Sequence, residues 1–251
     1  MGNSFKDKVV LITGGSFGIG KATALLFAAK GAKIVLVDWV ENPETVEEIE
    51  ALGTQVLFIK CDVSKTEAVK IMIARAVIVF GRLDYAFNNA GIEGISASVT
   101  EGTEENWDKI MAVNLKGIWN CMKFQIPEMQ KTGQGAIVNC ASIAGLRGYR
   151  GLSAYVASKH GIIGLTKTAA LECAQLGIRI NAVCPGAIKT AMIDRLTGHQ
   201  KEVEAQFAAQ EPMGRLGQPE EVAQAVLWLC SNQASFITGH ALTVDGGWTA
   251  G

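Results

Sequence analysis

The sequence predicts an α/β fold: a doubly wound parallel sheet of about seven strands with helices on both faces. Three observations carry this. Short apolar, β-branched runs alternate with longer helical stretches along the whole chain. The strand runs have no polar face: KVVLIT at Lys8–Thr13 and KIVLVD at Lys33–Asp38 read as strands buried on both sides. Glycines stand where helical stretches stop, at Gly31, Gly53, Gly81 and Gly177, as left-handed helix caps require.

The elements follow in order. Val9–Thr13 is the first strand candidate and runs into a glycine-rich loop. Lys33–Asp38 is the second and ends on an acid. Gln55–Lys60 leads into Asp62-Val63, and Leu83–Phe87 into Asn88-Asn89-Ala90-Gly91. A long helix, Glu104–Met129, carries Asn114 and Gly117 inside it. Ala136–Cys140 leads through Ser142 to a second long helix, Leu152–Gln175, rich in Ala, Gly, Ser and Thr. Arg179–Cys184 is followed by Pro185-Gly186 and by Thr190–Met213, an amphipathic stretch rich in Met and Ala that reads as a substrate lid. Ala241–Val244 is the last strand. With no linker, repeat or low-complexity segment, residues 1–251 read as one domain.

Composition removes several function classes. The chain has 23 Lys+Arg against 24 Asp+Glu, a net charge of −1, and no basic cluster to meet nucleic acid. Its 49% apolar and 19% charged residues describe a globular protein. The longest apolar runs, Ala24–Ala29 and Ala225–Cys230, are six residues; a membrane-spanning helix needs roughly 20. The opening MGNSFKDKVVLIT enters a strand directly, so no signal peptide is expected. The six cysteines, Cys61, Cys121, Cys140, Cys173, Cys184 and Cys230, form no C-x-x-C pair and have no His at zinc-ligand spacing. They read as buried small hydrophobes in a reducing, cytoplasmic protein. Cys184 could lie near a pocket, but a buried thiol is the better reading. His160, His199 and His240 are too scattered for a metal site, and none is expected.

The loop Thr13–Gly20 fits three chemical patterns. Gly14-Gly15-Ser16-Phe17-Gly18 matches the G-x-S-x-G of a hydrolase serine elbow. Only thirteen residues precede Gly14, so no upstream loop exists to complete an oxyanion hole. Gly15–Lys21 matches G-x-x-x-x-G-K, but Ala22 follows, where a nucleotide hydrolase needs a hydroxyl for Mg²⁺. This stays a minor alternative. The third reading is dinucleotide binding. The spacing G-x-x-x-G-x-G departs from G-x-G-x-x-G, yet the physics holds: glycines admit a pyrophosphate and the next helix offers free N–H groups. Asp38, 18 residues past Gly20, stands where an acid should hold the adenosine ribose.

At this point the sequence resembles the short-chain dehydrogenase/reductase family, across nearly its whole length. T-G-x-x-x-G-x-G is that family's own loop. Asn88-Asn89-Ala90-Gly91 matches its N-N-A-G, Asp62-Val63 its adenine segment, and Asn114, Ser142, Tyr155 and Lys159 its catalytic tetrad. Pro185-Gly186 with Ile188 and Thr190 matches the segment gripping the nicotinamide carboxamide. The resemblance implies a Rossmann-type fold and hydride transfer between NAD(H) and a secondary alcohol or ketone. It implies cofactor contacts from Gly14, Ser16, Phe17, Gly18, Ile19, Gly20, Asp38, Asp62, Val63, Asn89, Ala90, Gly91, Tyr155, Lys159, Pro185, Gly186, Ile188 and Thr190. It also implies a homotetramer in which the two long helices pair, with Trp107, Ile118, Trp119 and Met122 suited to the contact. A cofactor-binding regulator without turnover is the competing class, but it would have no need of the tetrad.

The residues themselves support the chemistry. Tyr155 and Lys159 are at i and i+4 and share a helix face. A free tyrosine titrates near pH ~10, and a neighbouring ammonium favours the phenolate. Tyr155 is therefore the expected acid/base. Ser142, just past a strand, would hold the substrate oxygen. Asn114 is a poor mid-helix residue, at roughly 0.7 kcal/mol against Ala; in the family that position helps hold a water linking the lysine to solvent. Pocket candidates are Ile92, Glu93, Ala144, Tyr149, Leu152 and Met192. Arg147, Arg150 and His160 read as surface residues. No Lys or Arg in Gly14–Ile19, nor in Trp39, Val40 and Glu41, would welcome a 2′-phosphate, and Lys21 is expected to point elsewhere, so NAD is preferred.

Overall fold

The computed structural model describes residues 5–198 and 200–251; His199 lies outside them. Seven parallel strands, β1 Val9–Thr13, β2 Lys33–Asp38, β3 Val56–Lys60, β4 Tyr85–Asn88, β5 Gly135–Cys140, β6 Ile178–Pro185 and β7 Ala241–Val244, stand in the order β3-β2-β1-β4-β5-β6-β7. The order reverses beside β1, which pairs with both β2 and β4. A crevice therefore opens at the carboxyl ends of β1 and β4, where doubly wound sheets bind ligands.

The missing polar face of the strands has its cause here. Val9 and Leu11 of β1 with Val35 and Val37 of β2 face one layer, which contains α3 (Thr66–Phe80), α5 (Gly117–Gln130) and α6 (Ser153–Cys173). Val10, Ile12, Ile34 and Leu36 face the other, with α1 (Gly18–Ala28), α2 (Pro43–Ala51) and α9 (Pro219–Cys230). Both strand faces are thus buried. The cap glycines behave as their positions require: Gly31, Gly53, Gly81 and Gly177 have φ of +80°, +78°, +77° and +72°.

The first long helix departs from expectation. Its path is α4 (Glu104–Ile110), a π-helical turn Met111–Lys116, then α5. π turns recur at functional sites, and this one contains Asn114. The expectation that Ile118 and Met122 serve a subunit contact is also corrected. They are 3% and 2% exposed and pack beneath the sheet, whereas Trp107 and Trp119 are each 42% exposed. The predicted lid is two short helices, α7 (Ala191–Leu196) and α8 (Lys201–Gln210).

Candidate active site

The glycine loop turns at the end of β1. Gly14 has φ +62°, and a side chain at Gly20 would drive its Cβ into the Gly14 carbonyl oxygen. Only glycine lets the loop fold this tightly against the start of α1. The Phe17 N-cap makes no side-chain hydrogen bond, so the first N–H groups of α1 remain free for an anion. The Ser16 hydroxyl is fully buried and donates to the Val40 carbonyl at 2.7 Å. A nucleophile needs the opposite, so the elbow reading fails a second time. Lys21 pairs with Glu48 at 2.9 Å, away from the loop, which also weakens the nucleotide-hydrolase reading.

Asp38 closes β2 beside this loop. Its carboxylate accepts from Ser16 N–H at 3.1 Å and Val40 N–H at 3.2 Å. Trp39 beside it is 61% exposed. The Lys60 ammonium lies 5.3 Å from the centre of the Trp39 ring, a cation near Asp38 that the sequence reading did not consider. Phe17 is exposed at the loop's rim and Ile19 is half-buried.

Thr13 bolts the loop to its neighbour. Its buried hydroxyl accepts from Asn89 N–H at 3.0 Å and Ala90 N–H at 3.1 Å. The Asn89 side chain donates to Gly14 O at 3.0 Å. Sequence reasoning assigned Thr13 no task; a threonine closing an apolar strand was the available sign. Asp62 caps its own turn through Ser64 N–H at 3.0 Å. Val63 is buried; its carbonyl accepts from Asn120 at 2.9 Å, and its Cγ2 lies 2.8 Å from where a Cβ on Gly117 would stand.

The expected tetrad comes from three segments. Asn114 is fully buried: its Oδ1 accepts Ile92 N–H at 2.8 Å, and its Nδ2 donates to Ile92 O at 2.9 Å and Ser158 Oγ at 3.2 Å. It fastens the segment after Gly91 to α6, which offsets its poor helix propensity. Lys159 is 5% exposed and donates to Cys140 O at 2.8 Å, at the end of β5. Its ammonium lies 5.4 Å from the Tyr155 ring centre, as i, i+4 spacing requires. Ser142 is half-buried and accepts Ala144 N–H at 3.1 Å. The turn holding it packs on α6 so closely that a Cβ on Gly145 would stand 2.7 Å from Lys159 O.

The segment after β6 closes the crevice. Thr190 Cγ2 lies 3.1 Å from where a Cβ on Gly18 would stand, so this segment reaches the glycine loop. Ile188 is buried, and Lys189 N–H and Gly217 N–H lock the turn with bonds of 2.8 and 2.9 Å. Gly186 lies between Asp245 and Glu211: a Cβ there would meet Asp245 Cα at 2.9 Å and Glu211 Oε1 at 3.0 Å. Glu211, unforeseen in the sequence, is 5% exposed and accepts Ala187 N–H at 2.9 Å. Burial pushes its carboxyl above the usual range, the Ala187 bond opposes this, and the nearby Asp245 charge adds to the rise.

A narrow recess beside Tyr155 is lined by Glu93, Ile95, Ala97, Ile110 and Leu152. Arg195 of α7 grips Glu93 with both arms of its fork, at 2.7 and 3.2 Å. Burial works against the Glu93 charge, but the Arg195 guanidinium holds its carboxyl below the usual value. Of the other pocket candidates, Ala144 is buried, while Ile92, Tyr149, Leu152 and Met192 are half-buried. Tyr149 stacks on Trp248 with ring centres 5.3 Å apart. Arg147, which lies over the same Trp248, and Arg150 are exposed. His160 is exposed too, and all six cysteines are buried and free. Burial raises the Cys184 thiol to about 12, so it is no ready nucleophile. Among the described residues no group of His, Cys, Asp and Glu could hold a metal, and no helix is long and apolar enough to cross a membrane.

A family model described as enoyl-(acyl carrier protein) reductase matches residues 14–249. Cyclohexanol dehydrogenase of Acinetobacter sp. (strain SE19) is 47% identical, over 100% of this chain and 98% of that one. The crystal structure of levodione reductase superposes with a TM-score of 0.93 at 38% identity, covering 98% of this chain and 99% of that one. ElxO with NADP bound (TM-score 0.90, 38% identity, 97% and 99% covered) and NAD⁺-bound xylitol dehydrogenase (TM-score 0.91, 35% identity, 97% and 99% covered) align as fully. With this likeness over its full length, and with the glycine cradle beside a Tyr–Lys pair, the chain belongs to the short-chain dehydrogenase/reductase family: an oxidoreductase of CH–OH groups that works with a nicotinamide cofactor.

Proposed function

We propose that this enzyme interconverts a neutral cyclic secondary alcohol and its ketone with NAD(H). The observation that carries the reaction is the seating of Lys159, buried and 5.4 Å from the Tyr155 ring, beside the Ser142 turn at the carboxyl edge of the sheet. The substrate class rests on the 47% identity to cyclohexanol dehydrogenase and on the recess beside Tyr155, whose walls mix Ile95, Ala97, Ile110 and Leu152 with the uncharged polar side chains of Asn106 and Ser153. Its one carboxylate, Glu93, is already matched by Arg195, so neither is free to hold a charged substrate.

The glycine cradle suits a dinucleotide: Gly14 and Gly20 let the loop close tightly onto the start of α1, whose N-cap Phe17 offers no side-chain hydrogen bond, so the first N–H groups are open to a pyrophosphate. Bound NAD supplies the hydride acceptor, or as NADH the donor. Ser142 holds the substrate oxygen. Tyr155 takes the hydroxyl proton during oxidation and returns it during reduction. Lys159, anchored on Cys140 O, presents its side-chain nitrogen 5.4 Å from the Tyr155 ring centre. Asn114 positions the segment after Gly91 and, through Ser158, α6. Asp38 would hold the adenosine ribose hydroxyls, and its carboxylate would disfavour a 2′-phosphate, the basis for preferring NAD. Pro185, Gly186, Ile188 and Thr190 take the nicotinamide end. The loop residues from Ser16 to Ile19, with Asp62, Val63, Asn89, Ala90 and Gly91, line the remaining path. Helices α7 and α8 form the lid, latched by Arg195 on Glu93.

The working form is a cytoplasmic homotetramer, with a homodimer as the fallback. Support comes from an open groove of about 750 Å³ between the π turn and α6, whose apolar walls include Met111, Leu115, Trp119 and Leu165. Free buried cysteines suit a reducing compartment. Sedimentation showing a stable 26.7 kDa monomer at micromolar concentration would overturn the assembly. The function is tested with a panel of cyclic alcohols, polyols, hydroxy acids and steroids, following reduced-cofactor absorbance. The expected result is highest kcat/KM for an uncharged ring alcohol with NAD. NAD binding without turnover of any alcohol would favour a regulatory role.

A further inference from the structure

Glu211 is an expensive residue to bury. It stands at the end of α8, 5% exposed, with one carboxyl oxygen on Ala187 N–H at 2.9 Å. The other oxygen, Oε2, has no hydrogen-bond partner among the described residues although it is fully enclosed. Buried polar atoms are nearly always paired, so an orphan calls for a reason. Two further observations point the same way. Gly186 is kept bare between Glu211 and Asp245, where a Cβ would stand 3.0 Å from Oε1 and 2.9 Å from Asp245 Cα. Gly246, at φ +59°, lies across from Oε2, with 3.6 Å from its built Cβ to that oxygen. Gly186 is thus the glycine whose missing side chain lets Glu211 and Asp245 close on the turn, Gly246 merely borders Oε2, and the bonded partner of Glu211 lies inside the turn Pro185–Thr190.

We propose that Glu211 is a positioning residue of the cofactor site, its carboxyl oxygen fixing the backbone turn Pro185–Thr190 that receives the nicotinamide half of the dinucleotide. The inference rests on the cofactor reading given above. Because Glu211 ends α8, the same bond ties that turn to the lid. A neutral amide keeps the needed acceptor, and a hydrocarbon removes it.

The test compares Glu211→Gln, Glu211→Ala and Glu211→Leu with the unmodified enzyme, by direct titration of NAD and of ADP-ribose, which lacks the nicotinamide. In Glu211→Ala and Glu211→Leu the Kd for NAD rises about tenfold while ADP-ribose binds as before, since only a bond near the nicotinamide end is lost. Glu211→Gln binds both as the unmodified enzyme does. The leucine variant fills the space, so it reports on the acceptor should the alanine variant fail to fold. Equal weakening of NAD and ADP-ribose, unchanged NAD affinity without the acceptor, or a glutamine variant as weak as leucine would each overturn the proposal. Failure of the unmodified enzyme to bind NAD would overturn the cofactor reading instead.

Discussion

At the amino edge of the sheet, Asp84 is 2% exposed and its carboxylate accepts from Val9 N–H at 2.9 Å, from Arg82 and from Lys8. At the carboxyl edge, Glu211 is 5% exposed and among the described residues bonds only Ala187 N–H, leaving an oxygen unpaired. The first acid joins the start of β1 to the segment entering β4 and has its charge matched. The second stands among glycines with a like charge, Asp245, nearby. An orphaned buried acceptor costs about 1–3 kcal/mol. The amino edge is built for stability, and the carboxyl edge tolerates cost where the crevice opens.

This contrast can be broken most sharply at Tyr155. Tyr155→Phe removes only the phenol oxygen and its proton, so turnover should fall about 10²–10⁴-fold with NAD affinity and Tm unchanged. Keeping more than about a tenth of turnover would remove Tyr155 from the acid/base role. Next is cofactor choice. The unmodified enzyme should prefer NAD by at least ~100-fold in kcat/KM, about 2.7 kcal/mol. Asp38→Ala should narrow that gap, mainly by weakening NAD use, and adding Trp39→Arg should raise NADP use further. Comparable kcat/KM for the two cofactors before any substitution would sink this reading, and Lys60 over Trp39 would be the first cation to inspect.

The amino edge should answer in stability alone. Asp84→Ala orphans Val9 N–H and strips two cations of their partner, so unfolding should become easier by about 2 kcal/mol. Chemical denaturation should register this while kcat stays constant; a comparable loss of kcat would erase the distinction between the edges. The smallest effect concerns pH. The Glu211 carboxyl titrates above its ordinary value of 4.5 in the folded chain. Its contribution to stability is therefore full below that ordinary value and is lost as pH rises through the raised one. Glu211→Gln lacks this loss, so its Tm relative to the unmodified enzyme should climb with pH from about 4.5 upward, by a few degrees at most. A Tm difference independent of pH would mean that Glu211 does not titrate as its burial requires.

Much of this architecture was legible because it is local. Hydrophobic runs placed β1, β2 and β7 at their observed bounds, and left the other four strands within two residues. Cap glycines marked helix ends because only they accept left-handed φ cheaply. The i, i+4 spacing of Tyr155 and Lys159 guaranteed a shared helix face before any tertiary contact was known. The π turn around Asn114 was not legible. It widens one helical turn, and Ile118 and Met122 beyond it meet the core instead of a partner subunit.

By itself, then, the sequence determined the order of strands and helices along the chain, the glycine cradle and the residues proposed to carry the chemistry. Those depend on periodicity, chirality and spacing within a few residues. Only the tertiary structure decided which polar groups share a bond. Thr13 meets Asn89 across 76 positions, Asn114 meets Ile92 across 22, and Glu211 meets Ala187 across 24. A hydrogen bond needs donor and acceptor within about 3 Å, and chain segments so distant in sequence reach that distance only when the sheet has set their edges side by side.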